Sequence, residues 1–136
     1  MIYLTRRERF CAAHRMFMHD LSDEVNHKVF GKCYNPNWHG HNYVLWVTVK
    51  GEHSPEHGFV ININILKQII LDKVINKIDH KNINLEVYFM KGRIATTENL
   101  AVAIWDELKP SIQKEGALLH CVKIEETENN SIEYYC

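Results

Sequence analysis

The sequence predicts an α+β fold, an antiparallel four-stranded sheet with two helices on one face. Two observations carry this expectation. Stretches near both ends of the chain alternate polar and apolar residues with period two, and two stretches between them repeat apolar residues at helical spacing. The order is therefore strand, strand, helix, helix, strand, strand (ββααββ), with no internal repeat or low-complexity tract, and 1–136 is expected to be one domain. An open sheet edge of this kind is often hidden by oligomerisation.

Residues 2–14 read as a long first strand, in which period-two counting puts Phe10, Ala12 and His14 on one face. Residues 15–38 are long for a loop in a compact domain, which points to a functional role. Within them, 22–30 read as a short helix capped by Ser22, with acids in its first turn and Gly31 as its stop. Residues 41–51 form the second strand, Gly and Pro mark 51–58 as a loop, and 59–62 form a short extended piece. From about 64 to 78 the spacing of Leu66, Ile69, Ile70, Val74 and Ile78 gives an amphipathic helix. Residues 79–95 read as irregular. A threonine ahead of Glu98 signals the next helix start, with Leu100, Ile104 and Leu108 as its stripe and Pro110 as its end or kink. After Gly116, 117–126 alternate as a third long strand, and 127–130 turn into a closing strand over 131–135.

Sixteen basic residues against seventeen acidic ones leave no electrostatic footprint for nucleic acid or an anionic membrane. The first residues lack the apolar region of a signal peptide, and no apolar run is long enough to span a bilayer. The four cysteines, Cys11, Cys33, Cys121 and Cys136, form no CxxC pair, which fits a reducing, cytoplasmic setting. Nine histidines are the compositional hint of metal or acid–base chemistry.

Those histidines cluster around the stretch Cys33-Tyr-Asn-Pro-Asn-Trp-His39-Gly-His41. In a strand His39 and His41 point the same way, with Gly40 letting the backbone bend between them. An HxH pair alone also suits solvent histidines in a turn. His14 strengthens the metal reading, because it ends the neighbouring strand on a face that could meet the pair. Three imidazoles with an open fourth position form the catalytic zinc pattern. Cys33 is then a fourth ligand closing a structural site, a free thiol serving as base or nucleophile whose thiolate zinc and neighbouring Lys32 would favour, or an inert, partly buried cysteine. Cys11 and Cys121 read as inert strand residues. Asp79-His80 is either a histidine at a helix C-terminus or an acid–base pair, and a direct bond between the two needs irregular backbone. At the end of the third strand, Glu125 and Glu126 read most simply as solvated carboxylates.

Taken together, these segments resemble the 6-pyruvoyltetrahydropterin synthase family. The similarity runs through Phe10–His14, Asn26–Tyr43, Gly58–Asn62, Leu66-Lys67, Asp79–Asn82, Ala95–Asn99 and Glu126-Thr127. It implies a tunnelling fold, in which trimers close a barrel and two trimers stack into a homohexamer, with sites at subunit interfaces. It also implies Zn2+ on His14, His39 and His41, and Cys33 as catalytic base working with Asp79 and His80. Glu126 would grip the pterin, assisted by Thr96, Thr97 and Glu98. The implied reaction converts 7,8-dihydroneopterin triphosphate to 6-pyruvoyltetrahydropterin with elimination of triphosphate. No dinucleotide fingerprint is present, as such an internal redox shift requires none.

Two rival readings remain open at this level. The 6-carboxytetrahydropterin synthases of the queuosine pathway act on the same substrate and release acetaldehyde, but their cysteine usually lies closer to HGH. The Cys33-to-His39 spacing and Thr96-Thr97-Glu98 resemble the pyruvoyl-forming branch. A non-catalytic zinc- or pterin-binding module would keep the histidines and Glu126 but have no use for Cys33, Asp79 and His80. Two positions depart from the family pattern: Ile65 where aspartate is expected, with Asn64 as a candidate replacement cap, and Trp38 where glycine is common.

Overall fold

A computed structural model describes residues 1–136. Strand β1 (Ile2–His14) and strand β2 (His39–Gly51) pair antiparallel along their whole length, from Ile2 opposite Gly51 to His14 opposite His39. Strand β4 (Leu118–Thr127) pairs antiparallel with β2, and β5 (Asn130–Tyr134) pairs antiparallel with β4. The sheet has five strands rather than the expected four. Strand β3 (Lys81–Asn82) adds a parallel edge to β1 at Ala12 and Ala13, giving the order β3-β1-β2-β4-β5. Two residues are too few to show any alternation, so only docking of the chain against β1 creates this strand.

Helix α1 (Asp23–Phe30) begins at Ser22, whose side chain accepts from the Val25 N–H, and stops at Gly31 with φ of 53°. Helix α2 (Ile63–Ile70) runs on through a π-helical turn (Leu71–Ile75) to Asn76–Ile78. Its cap is Asn62, whose side chain accepts from the Asn64 N–H at 2.9 Å, so Asn64 does not take that role. Ile65 is exposed, and its departure from aspartate costs the core nothing. The extended piece expected over 59–62 forms no strand.

Helix α3 (Thr97–Lys114) does not end at Pro110 but continues to Lys114. Pro110 removes one helical hydrogen bond. Burial of Leu108 and Ile112 on either side of it compensates, at roughly 1.5–3 kcal/mol per fully buried aliphatic side chain. The stretch expected to be irregular holds β3, a helical turn (Ile83–Glu86) and a 3-10 turn (Tyr88–Met90) before α3.

Both long helices cover the same face of the sheet. Phe10, Tyr43, Leu45, Val47, Val122 and Ile124 from the strands join Leu66, Ile70, Val74, Leu100, Ile104 and Leu108 from the helices in one buried cluster. The other face stays open and carries polar and cationic–aromatic contacts. Thr5 and Thr48 share a hydroxyl hydrogen bond of 2.8 Å, and Arg7 and Lys123 stand over the Trp46 ring at 5.7 and 5.5 Å. No helix of the chain is long and apolar enough to cross a membrane.

Candidate metal centre and active site

The helix-covered face ends in three histidines. Register puts His14 opposite His39 and Ala12 opposite His41, so all three imidazoles project to one side. Their ring centroids lie 4.5 Å (His14–His39), 5.1 Å (His14–His41) and 5.0 Å (His39–His41) apart. One nitrogen from each lies within 4.8 Å of the others. His14 Nε2, His39 Nδ1 and His41 Nε2 are buried and have no hydrogen-bond partner. His14 Nδ1 lies 2.7 Å from the Ala95 carbonyl, to which it donates, leaving Nε2 as a lone pair aimed at the other two rings. Burial lowers the pKa of His14 and of His39, and the neighbouring His41 lowers that of His39 further. Both are therefore neutral near pH 7, the form a metal requires. Three imidazoles with convergent, unpaired nitrogens fit a borderline-soft divalent cation.

Gly40 lies inside continuous β2 rather than at a bend. A Cβ there would meet the Ala12 carbonyl oxygen at 3.2 Å and the Ala13 Cα at 3.7 Å, so close approach of β1 and β2 is what selects glycine. Trp38, just before the strand, has φ of 67°, the left-handed region in which glycine is least strained.

Glu126 is not a solvated carboxylate. It lies on the same parity as the buried Val122 and Ile124, its side chain is 18% exposed, and it accepts a hydrogen bond from the Thr97 hydroxyl. Its Oε1 stands 3.7 Å from His41 Nε2. Alternation from Val122 through Ile124 was the sequence signal for this inward placement. Thr97, Glu98 and Glu126 line a common cleft of about 260 Å³ together with Met16, Asn130 and Ser131. Thr96 does not line it; its hydroxyl caps α3 by accepting from the Asn99 N–H at 3.2 Å.

Cys33 belongs to a 3-10 turn (Gly31–Tyr34) docked against the end of β1. The Met16 N–H donates to the Cys33 carbonyl at 2.8 Å, and Arg15 Nε donates to the Tyr34 carbonyl at 2.7 Å. The Arg15 guanidinium also lies 4.4 Å over the Tyr34 ring. The metal-holding group contains the three imidazoles and no thiol, which argues against Cys33 as a fourth ligand. Burial and then the Glu126 carboxylate raise the Cys33 pKa, and exposed Lys32 does not offset them. A cation at the histidines is what would favour the thiolate.

Asp79 and His80 meet directly, His80 Nδ1 lying 3.0 Å from Asp79 Oδ2. The required irregular backbone is present: the helix ends at Ile78, Asp79 is extended, and His80 has φ of 61°. Backbone groups of Cys11 clamp the pair. Its N–H donates to Asp79 Oδ1 at 2.9 Å, and its carbonyl accepts from the His80 N–H at 2.7 Å. Burial alone would raise the Asp79 pKa, but the Cys11 N–H and the His80 imidazole outweigh it and hold the carboxyl below its usual range. Cys11 alternates with Phe10 and Ala12, so this pair sits by the open face at the β1 edge, not with His14.

Sequence reasoning missed Tyr43. It is two residues beyond His41 on the same face, buried, stacked on Phe10 at 4.8 Å, with its hydroxyl unpartnered. Burial pushes its pKa upward, so it remains a neutral phenol. The continuation of the HxH parity to residue 43 was the available signal.

Residues 3–136 match the family model described as 6-pyruvoyl tetrahydropterin synthase. The chain belongs to the 6-pyruvoyl tetrahydropterin synthase family. It is 48% identical over 133 residues to the 6-pyruvoyl tetrahydrobiopterin synthase of Dictyostelium discoideum, covering 98% of this chain and 95% of that one. To the human protein of the same name it is 44% identical, covering 96% and 89%. The structure of the Caenorhabditis elegans 6-pyruvoyl tetrahydropterin synthase superposes with a TM-score of 0.92 at 38% identity, over 99% of this chain and 95% of that one. More distant similarity, 27% identity over 98% of this chain and 99% of that one, links the family member described here to the 6-carboxy-5,6,7,8-tetrahydropterin synthase of Rickettsia bellii.

Proposed function

We propose that this chain is a zinc-dependent lyase that converts 7,8-dihydroneopterin triphosphate to 6-pyruvoyltetrahydropterin and triphosphate. The observation that carries this reading is the convergence of three unpartnered imidazole nitrogens beside the Thr97–Glu126 pair. The relatives named for the pyruvoyl reaction, at 44% and 48% identity, favour that product over the carboxy product of the relative at 27%.

His14, His39 and His41 would hold the zinc, which supplies Lewis-acid polarisation of the substrate's side-chain hydroxyls when bound. Glu126, oriented by the Thr97 hydroxyl, accepts hydrogen bonds from the amino-pyrimidinone edge of the pterin. Glu98 lines the same cleft and adds a second acceptor at its rim. The Cys33 thiolate takes a proton from a side-chain carbon, and His80, held by Asp79 through Nδ1, moves protons between the side chain and the ring. Loss of triphosphate and an internal redox shift complete the reaction without an external oxidant.

Cys33 lies by the histidine face, whereas the Asp79–His80 pair stands at the β1 edge by the open face. A site assembled between subunits reconciles the two, with one copy giving Cys33 and the histidines and its neighbour giving the pair. The homohexamer of two trimers that the family resemblance implies would provide such a site between copies.

Incubating the purified protein with 7,8-dihydroneopterin triphosphate and identifying the products tests the reading. Triphosphate with 6-pyruvoyltetrahydropterin is expected. Release of acetaldehyde would refute it in favour of the carboxy reaction, and bound pterin without turnover in zinc-loaded protein would leave a binding module.

A further inference from the structure

Cys11 reads from sequence as an inert strand residue, yet its sulfur lies within the second cluster of metal donors. One donor atom each from Cys11, Asp79 and His80 lies within 4.8 Å of the others, a grouping separate from the three histidines. In the single chain the thiol is half-buried and the histidine ring mostly exposed, its Nδ1 lying 3.0 Å from Asp79 Oδ2. A cleft of about 460 Å³ lined by Cys11, Ala13, Asn42 and His80 opens beside them. Lys81 lines the same cleft, but Glu86 stands 3.8 Å from its ammonium and partly offsets it.

We propose that Cys11, Asp79 and His80 form a second, weaker metal site for a thiophilic divalent cation such as Zn2+, Co2+ or Cd2+. Thiolate, imidazole and carboxylate together suit these ions and disfavour Mg2+ or Ca2+, and solvent completes the coordination. Binding releases the Cys11 thiol proton to solvent and replaces the His80–Asp79 hydrogen bond with two metal–ligand bonds. Because the catalytic reading assigns proton transfer to that pair, occupancy of this site inhibits; this consequence rests on the proposed function, while the site itself does not.

Titrating the metal-stripped full chain with Co2+ under a non-thiol reductant tests the proposal. The wild type is expected to take two equivalents per chain, with a thiolate-to-cobalt charge-transfer band growing with the second. Both the band and the second equivalent persist in Cys33→Ser and disappear in Cys11→Ser, which keeps the first equivalent. Saturation at one equivalent, a second equivalent without the band, or a band abolished by Cys33→Ser instead would overturn it. In parallel turnover assays, activity is expected to rise to the first equivalent and fall with the second. Absence of turnover at every loading would strike at the catalytic reading alone, because the cobalt titration decides the site without it.

Discussion

Replacing Thr97 with Val tests how Glu126 is held. Thr97 is 5% exposed and its hydroxyl donates to the Glu126 carboxylate, so Val preserves volume and β-branching while deleting that donor. A hydrogen bond to a charged group contributes about 1.5–3 kcal/mol. Glu126 is 18% exposed, so water replaces part of the lost interaction and the net cost falls to about 1–2 kcal/mol. At about 1.4 kcal/mol per tenfold, KM for the pterin substrate should rise roughly 5- to 30-fold. The metal ligands are untouched, so zinc content and the far-UV spectrum should match wild type, and kcat should fall far less than KM rises. Steady-state kinetics with metal analysis on the same preparation gives all of these values. An unchanged KM would refute the assignment of Glu126 as a Thr97-oriented pterin anchor; a loss of zinc would show instead that Thr97 supports the metal site.

Cys33→Ala should lower turnover roughly 10²- to 10⁴-fold while zinc content stays at wild-type level, as expected for loss of a proton-transfer group. Mixing Cys33→Ala with Asp79→Asn subunits should restore part of that activity if the site forms between copies; no recovery in verified mixed oligomers would place both in one chain. His39→Ala should weaken zinc binding by more than about 100-fold, measured by competition with a chromophoric chelator, since one of three ligands is gone. The metal-free protein should lose stability as pH falls below 6.5, the ordinary histidine value, because the folded pKa values of His14 and His39 are depressed and the unfolded chain binds those protons more readily. Thermal unfolding across pH 5–8 measures this, and zinc should raise stability while keeping the slope, because metal-bound rings take up no proton and the unfolded chain still does; a flat metal-free profile would contradict the burial of these rings.

The alternation of β2, β4 and the end of β1 from Phe10, and the helical spacing of α2 and α3, were legible in the sequence, because these faces are buried and repeat their own period. The same parity rule puts His14, His39 and His41 on common faces from the sequence alone. What it could not supply was the partner of each side chain. Thr96 and Thr97 are adjacent in the chain, yet one caps α3 and the other holds Glu126, a difference set by where the helix starts relative to the end of β4. Cys11 looked inert as a strand residue and acquired chemical neighbours only when the turn after α2 folded back on β1. The two-residue β3 exists for the same reason. Local periodicity determined which residues face inward. Contacts between segments dozens of residues apart decided which of those residues meet, because no local pattern encodes the closure of the chain on itself.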